Sequence, residues 1–291
     1  MFLKKVYKKK IVITGGKGIL GSYFFNKYKK KYNIILYPHR LENFKKMKNW
    51  LKKKSFNYFI HFAAITSKKN IKYRNINLIN IKCSIELLKN LSKIKSKNLK
   101  YFLFISSSHV YGFSKNRLNE KSKRMPVTKY GKSKKIVEDY IIKNIKNFSF
   151  NMGIARIFNY TFKNQKKGHF IPDVYKKISL NQNPKNINKN RDFIHIDDVA
   201  RSLELMIRKK IHQPLNICRG VKVNLITLSK KLNEMTFKKN IIFNTKRLKN
   251  NFDIYGNNRL LNKLGIDNFK NLDAILKSFI NGNKKKNFNN R

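Results

Sequence analysis

Three groups of residues in this chain have the types and spacing to do chemistry. The first is Thr14-Gly15-Gly16-Lys17-Gly18-Ile19-Leu20-Gly21, in which Gly15, Gly18 and Gly21 stand three apart. Glycines so spaced let a turn take positive φ, bring backbone close to a pyrophosphate and seat a helix against a strand. The helix start that follows offers N–H groups and the positive end of its dipole to phosphate. The second is Tyr130-Gly131-Lys132-Ser133-Lys134. On a helix Tyr130 and Lys134 share one face a turn apart. A nearby ammonium stabilises a phenolate, which makes a tyrosine usable as an acid and base near neutral pH. The third is Ser106-Ser107-Ser108, just before His109-Val110-Tyr111-Gly112. A hydroxyl at the C-terminal end of a strand points into the crevice where doubly wound sheets bind ligands, and it can hold a carbonyl by hydrogen bonding. Each motif alone is ordinary, since a YxxxK arises by chance in a chain rich in Tyr and Lys, and serines end many strands. Their order along the chain gives them weight.

Such groups need strands that end at the turns and helices that follow them. Apolar and β-branched runs predict strands over 10–14, 33–37, 58–62, 101–105, 152–158 and 214–218. Apolar steps of three and four predict helices over 19–28, 44–51, 76–94, 130–145 and 194–207. The alternation predicts an α/β fold, a Rossmann-like doubly wound parallel sheet with a smaller C-terminal substrate-binding lobe. The expected division is a dinucleotide-binding domain over 1–158 and mainly a substrate lobe over 159–291, with segments around 193–218 returning to the sheet. Residues 161–191 read as a polar, partly helical insertion.

Composition narrows the function classes. The 291 residues hold 68 Lys and Arg against 14 Asp and Glu, a formal charge of +54, yet 41% are hydrophobic, too many for a disordered polycation. Lysine is scattered among Asn, Ile, Phe and Tyr, residues of AT-rich codons. Only 281–291, with Lys284-Lys285-Lys286, reads as a charged tail. A dedicated nucleic-acid binder gathers its charge on one face, so nucleic acid is not the expected partner. No apolar run nears the roughly 20 residues of a membrane span, and the basic start runs straight into a strand, unlike a signal peptide. Cys83 and Cys218 make no disulfide framework, so a reducing cytoplasm is the expected compartment. No metal site is expected.

The blocks TGGKGILG (14–21), HFAA (61–64), Asn80-Ile81-Lys82-Cys83-Ser84, SSSHVYG (106–112), YGKSK (130–134), ARIFN (155–159), RDFIHIDDVA (191–200) and LNICRG (215–220) follow one another along nearly the whole chain. In that order they resemble the extended short-chain dehydrogenase/reductase family, the nucleotide-sugar epimerases, dehydratases and reductases. The resemblance implies that Ser107 polarises a substrate carbonyl. It implies that Tyr130 is the catalytic acid and base, with Lys134 its partner and a contact to the nicotinamide ribose. Further cofactor contacts implied are Gly15, Lys17, Gly18, Ile19, Leu20, Gly21, His39, Arg40, Ala63, Ala64, Asn80 and Ser106. Substrate contacts implied are Ser107, Ser108, Asn159 and Arg191, the last two at the diphosphate of a nucleotide sugar. An arginine suits that task because it offers a planar fork of donors. Asn159 also reads as a turn residue. Asp197 and Asp198 read as helix-capping, His195 as a core residue and His61 as holding a strand end. A homodimer through the helices over 76–94 and 130–145 is also implied.

Departures from the family pattern sharpen the expectation. NAD-binding members carry an acid at the end of the second strand, for the ribose 2′-hydroxyl. This chain has Pro38-His39-Arg40 there, no acid before Glu42, and Lys17 inside the glycine turn. Two cations favour a 2′-phosphate, so NADP(H) is the preferred cofactor, with NAD(H) the alternative. A lysine-rich composition supplies basic residues at any position, and that reading stays open. The 4,6-dehydratases carry an Asp-Glu pair where this chain has Ser108 and His109, and elimination needs proton transfers at two carbons. Reduction at C4 or epimerisation at C4 remains. The stretches 157–165 and 169–178 resemble the GDP-4-keto-6-deoxymannose reductases, although Phe162-Lys163 and Arg219 stand where those carry Gly-Pro and Ser. The expectation is reduction of a nucleotide-linked 4-keto-6-deoxyhexose. The alternatives are a 4-epimerase with tightly bound NAD and a non-catalytic Rossmann protein that binds RNA or a protein partner.

Overall fold

The computed structural model describes residues 8–66, 73–93, 98–163, 165, 168–185, 187–243 and 253–288. Most of the basic start, Ile94 at the end of one expected helix and the last three residues of the expected tail lie outside these. The elements in chain order begin with β1 (Lys10–Thr14), α1 (Ile19–Tyr28), β2 (Asn33–Leu36), α2 (Phe44–Lys53) and β3 (Tyr58–His61). Next come α3 (Tyr73–Ile76), a π-helical turn (Asn77–Lys82), α4 (Cys83–Lys93), β4 (Tyr101–Ser107) and α5 (Lys129–Lys143). Then follow β5 (Asn151–Ile157), β6 (Asn159–Thr161), α6 (Phe170–Ser179), β7 (Asn190–Arg191), β8 (Phe193–His195) and α7 (Ile196–Lys209). The last are β9 (Pro214–Ile217), β10 (Val223–Asn224), α8 (Leu225–Glu234), α9 (Arg259–Lys263) and α10 (Leu272–Phe288).

The chain divides into two units. The first holds residues 1–110, 126–156 and 202–215, and the second 111–125, 157–201 and 216–291. The expected first domain therefore loses 111–125, whose Leu118 bridges Gly256 within the second unit. Residues 193–201 do not return to the sheet, because β8 pairs in parallel with β6. The expected helix over 194–207 starts at Ile196, and Ile194 and His195 close β8 instead.

In the first unit, six strands run in the order β2-β1-β3-β4-β5-β9. Ile11, Val12 and Ile13 of β1 are fully buried, as continuous apolar runs must be when helices cover both faces of a sheet. Val12, Phe59, Phe102, Phe104 and Met152 of the strands pack with Met47 and Leu51 of α2, Leu87 of α4 and Val137 and Ile141 of α5. β1 pairs in parallel with β2 on one side and β3 on the other, with Thr14 opposite His61. The chain reverses direction across the sheet at these two strand ends, the place where such sheets take ligands. The expected helix over 76–94 is interrupted by the π turn, which presents Asn80 inward at 1% exposure.

The second unit closes around Ile171, Val174, Ile178, Phe193, Leu225, Leu228, Leu232, Ile275, Leu276 and Phe279 from α6, β8, α8 and α10. Asn224 caps α8 through its side-chain oxygen, which accepts from the Ile226 and Thr227 amides. β7 pairs antiparallel with β10. The expected polar insertion over 161–191 contains α6, whose apolar side is core. The expected charged tail is helical through Phe288.

Candidate active site

The end of β4 and the start of α5 bring the second and third motifs onto adjoining elements. Thr128 caps α5, its hydroxyl accepting from the Gly131 amide at 3.0 Å. Gly131 lies so close to the His109 carbonyl that a Cβ there has no room, and the first turn of α5 is drawn against the turn that follows β4. The strand runs to Ser107, two residues further than its apolar pattern, so Ser106 and Ser107 are strand residues and point to opposite faces. Ser107 Oγ accepts from the His109 amide at 3.3 Å. Tyr130 is half-buried, with the His109 ring edge-on at 5.9 Å.

Lys134 is 2% exposed, and its Nζ donates to the Ile105 carbonyl at 2.7 Å. The ammonium sits 4.7 Å from the Phe104 ring centre and 5.9 Å from that of Tyr130. Burial pulls its pKa down to about 7, while the charge on Glu138 works the other way. His61 is pushed down to about 3, by burial first and by the charge on Lys134 second. It stands as a neutral ring between the Thr14 and Ser84 hydroxyls at 2.7 and 2.9 Å, holding the strand end as expected. A phenol beside a buried ammonium, with a strand-end hydroxyl on the preceding strand, can hand a proton to a carbonyl oxygen or take one from an alcohol.

The glycine turn is built for backbone approach. Gly15 has φ +68°, and a Cβ on it would lie 2.6 Å from the Ala63 nitrogen. Only glycine lets the loops after β1 and β3 meet there. Gly18 is exposed and begins α1 with no side-chain cap on its amides, which leaves first-turn N–H groups to a phosphate. At the end of β2 a pocket of about 630 Å³ is lined by Pro38, His39, Arg40, Glu42, Asn43, Phe44 and Lys46. Lys17 and Arg40 are exposed. These residues fit a dinucleotide, with a diphosphate at Gly15–Gly18 and a ribose at the pocket.

Several expected contacts have their side chains engaged elsewhere. Ser106 donates to the buried carboxylate of Glu138 at 2.5 Å, so its hydroxyl proton is committed to the core. Asn80 has no free amide: Oδ1 accepts from Ile65 N at 2.7 Å, and Nδ2 donates to Ile65 O at 2.9 Å and to Ser133 Oγ at 3.1 Å. It pins the loop that carries Ala63 and Ala64, and Ser133 passes the link to the Tyr130 carbonyl at 2.7 Å. Leu20 is buried against the core and Ile19 is half-buried, so any contact they make to a diphosphate is through backbone. Ser108 is 2% exposed and starts the turn after β4.

In the second unit, Asn159 starts β6 and Arg191 ends β7. Asn159 Nδ2 donates to the Asp192 carbonyl at 3.4 Å, and Arg191 Nη1 to the Asn190 carbonyl at 2.8 Å. Asp192, which follows Arg191 and whose carbonyl Asn159 contacts, was not singled out by sequence. It is fully buried, and its carboxylate accepts from the amides of Arg219 at 3.0 Å, Gly220 at 2.9 Å and Gly256 at 3.4 Å. Burial raises its pKa to about 6 against those amides, which favour the charged form. His195 is a capping residue, its Nδ1 accepting from the Asp197 amide at 3.1 Å. Asp198 accepts from Arg201 at 2.6 Å and from the Lys270 amide at 2.9 Å, a structural use of an acid in the first turn of α7. Glu138 and Arg156 were also missed, although Glu138 stands one helical turn beyond Lys134.

Known proteins share this fold. A UDP-glucose 4-epimerase from Thermotoga maritima, solved with UDP-glucose, has a TM-score of 0.84 at 21% identity over 95% of this chain and 99% of its own. RMD from Pseudomonas aeruginosa, solved with NADPH, has a TM-score of 0.82 at 20% identity over 96% of this chain and 99% of its own. A curated relative, the dTDP-D-glucose 4,6-dehydratase of Dictyostelium discoideum, is 25% identical over 278 residues. That match covers 78% of this chain and 62% of the relative. The model of the NAD dependent epimerase/dehydratase family matches residues 11–218, from the first strand of the sheet to the end of its last. On that match, with the glycine turn, the strand-end serine and the tyrosine–lysine pair inside it, the chain belongs to the NAD dependent epimerase/dehydratase family.

Proposed function

We propose that this chain reduces a nucleotide-linked 4-keto-6-deoxyhexose, with NADP(H) as cofactor. The observation that carries the reading is the placement of Lys134. It is buried on the Tyr130 face of α5 and bonded to the carbonyl of Ile105, two residues before Ser107. A nicotinamide nucleotide, when bound, supplies the hydride to the carbonyl carbon. Ser107 holds the carbonyl oxygen by hydrogen bonding, and Tyr130 gives that oxygen its proton. Lys134 keeps positive charge beside the phenol as the proton leaves. Gly15 and Gly18 take the diphosphate through backbone, and Lys17 and Arg40 face a 2′-phosphate. Asn159 and Arg191 are the contacts to the substrate diphosphate. Against elimination, the positions where a dehydratase carries its acids hold Ser108, which is buried, and His109, which stacks edge-on to Tyr130.

The second reading is a 4-epimerase with retained NAD, favoured by the likeness to the Thermotoga enzyme. Cofactor behaviour separates the two. Thermal shift with NADPH and NADH, on wild type and Arg40→Ala, tests the first. NADPH binding tighter than NADH, with the gap narrowed by Arg40→Ala, supports the reductase, and a panel of nucleotide-linked 4-keto sugars then identifies the substrate. NAD carried through purification supports the epimerase. Binding of neither cofactor sinks both.

A homodimer through α4 and α5 is part of the proposal. Ile136 and Ile142 on α5 are each 44% exposed, apolar area that a second copy would cover. Light scattering that shows a monomer at micromolar protein removes it. Among the described residues no helix is long and apolar enough to cross a membrane. The proposed compartment is the cytoplasm, supported by two cysteines that are buried and unpaired.

A further inference from the structure

The helix that carries Tyr130 and Lys134 carries Glu138 on the same face, one turn further on. Glu138 is fully buried, and so is the Arg156 side chain of β5 that grips it. Arg156 Nη2 donates to Oε2 at 2.7 Å, and its Nε lies 3.2 and 3.1 Å from Oε1 and Oε2. Ser106 Oγ donates to Oε1 at 2.5 Å. Consecutive residues of β4, Ile105 and Ser106, are thus tied to consecutive turns of α5, at Lys134 and Glu138. Ser107 is the next residue of the strand.

A buried ion pair is a weak source of stability, because apolar groups of similar volume usually replace it at no loss. Its effect on a neighbour is the better explanation for its place. Lys134 is a buried cation, and burial works against its charge. The groups that face it come from three elements. β3 contributes His61, held neutral. β4 contributes the Ile105 carbonyl and the Phe104 ring, and α5 contributes Tyr130 and Glu138. Arg156, from β5, faces Glu138 and fixes where its charge sits. Among the described residues, Glu138 is the carboxylate that favours the charged form of Lys134.

We propose that Glu138, clamped by Arg156 and Ser106, is a positioning residue that keeps Lys134 charged beside Tyr130. The proposal rests on the reading of Tyr130 and Lys134 as the acid–base pair. Without the carboxylate, Lys134 sheds its proton at lower pH. A neutral amine then no longer stabilises the phenolate, and the pair falls out of step with the proton it must move.

The test is the melting temperature of wild type, Glu138→Gln and Ser106→Ala between pH 6 and pH 8, each repeated in a Lys134→Met background. A buried lysine whose pKa is depressed in the fold costs stability as pH falls towards that pKa, and deeper depression extends the loss to lower pH. The gap between wild type and Glu138→Gln is therefore expected to widen by about 2 °C from pH 8 to pH 6, and to stop widening once Lys134 is Met. Ser106→Ala, which keeps the charge, shows a gap of constant size. A Glu138→Gln gap equal at both pH values overturns the proposal, and so does one that widens without Lys134. If Glu138→Gln does not fold because Arg156 is left unpaired, the double variant Glu138→Gln/Arg156→Met removes both charges and is read in the same way. The measurement needs neither cofactor nor substrate, so it fails separately from the functional reading, which falls if NADPH and NADH do not bind. Where turnover is measured, the alkaline limb of kcat moves down by about one pH unit in Glu138→Gln, and superimposed profiles overturn the proposal.

Discussion

The two units assemble their candidate sites in different ways. In the first, a short motif does most of the work locally. The turn from Gly15 to Gly18 follows β1 directly, and Tyr130 and Lys134 are one helical turn apart. In the second, Asn159 bonds to the Asp192 carbonyl and Arg191 is its neighbour in the chain, while the Asp192 carboxylate accepts from the amides of Arg219, Gly220 and Gly256. The first site is set by spacing along the chain, the second by one buried carboxylate that gathers distant loops. Local geometry survives changes elsewhere in a fold, whereas a gathered site fails when its hub is lost.

That contrast gives predictions of decreasing size. The largest effect is expected at the hub. Asp192→Ala leaves one buried and two part-buried N–H groups without their acceptor, at up to about 1–3 kcal/mol each. Chemical denaturation is expected to show loss of the native state or of most of its stability. A loss below about 1 kcal/mol would mean that the second site is no more gathered than the first. Next is Gly15→Ala, where positive φ and the Ala63 backbone combine. It is expected to cost about 1–3 kcal/mol and to abolish NADPH binding measured by fluorescence titration. Retained binding would show that the turn is not local machinery for phosphate. Asn80→Ala frees the Ile65 backbone and the Ser133 hydroxyl, at about 1–3 kcal/mol. It tests how far the first site also depends on a gathering residue, and cofactor affinity should fall with it. The smallest effect belongs to Lys135→Ala, which breaks a half-exposed pair with Asp139 on α5. It should change stability by about 0.5 kcal/mol or less, and a larger loss would mean that the outer face of the helix matters as well.

Much of the first unit was legible in the sequence because its signals are periodic. The fully buried run Ile11–Ile13 reads as a central strand, and α1 spans the residues expected for it. The π turn inside the expected helix over 76–94 was not legible, since apolar steps of three and four continue through it and only Asn80 departs from them. Ser106 and Asn80 were expected at a cofactor because they sit in motifs beside one. Nothing in their spacing tells a hydroxyl or amide already bonded within the core from one facing a crevice. The second unit was read more coarsely. Strands of two or three residues such as β7, β8 and β10 carry no measurable alternation, and the helix expected over 194–207 includes two residues of β8.

By itself the sequence determined the strand–helix alternation, the order of glycine turn, serine cluster and YxxxK, and the face that Tyr130 and Lys134 share. Each of these follows from spacings shorter than a few helical turns, where covalent geometry leaves little choice. The tertiary structure decided which polar groups are left for a ligand. It gave Ser106 to Glu138, Asn80 to the loop after β3, and Asp192 to three amides more than 25 residues away. Those pairings arise because a buried donor or acceptor must find a partner in whichever segment folding brings beside it, and that neighbour is not written in local spacing.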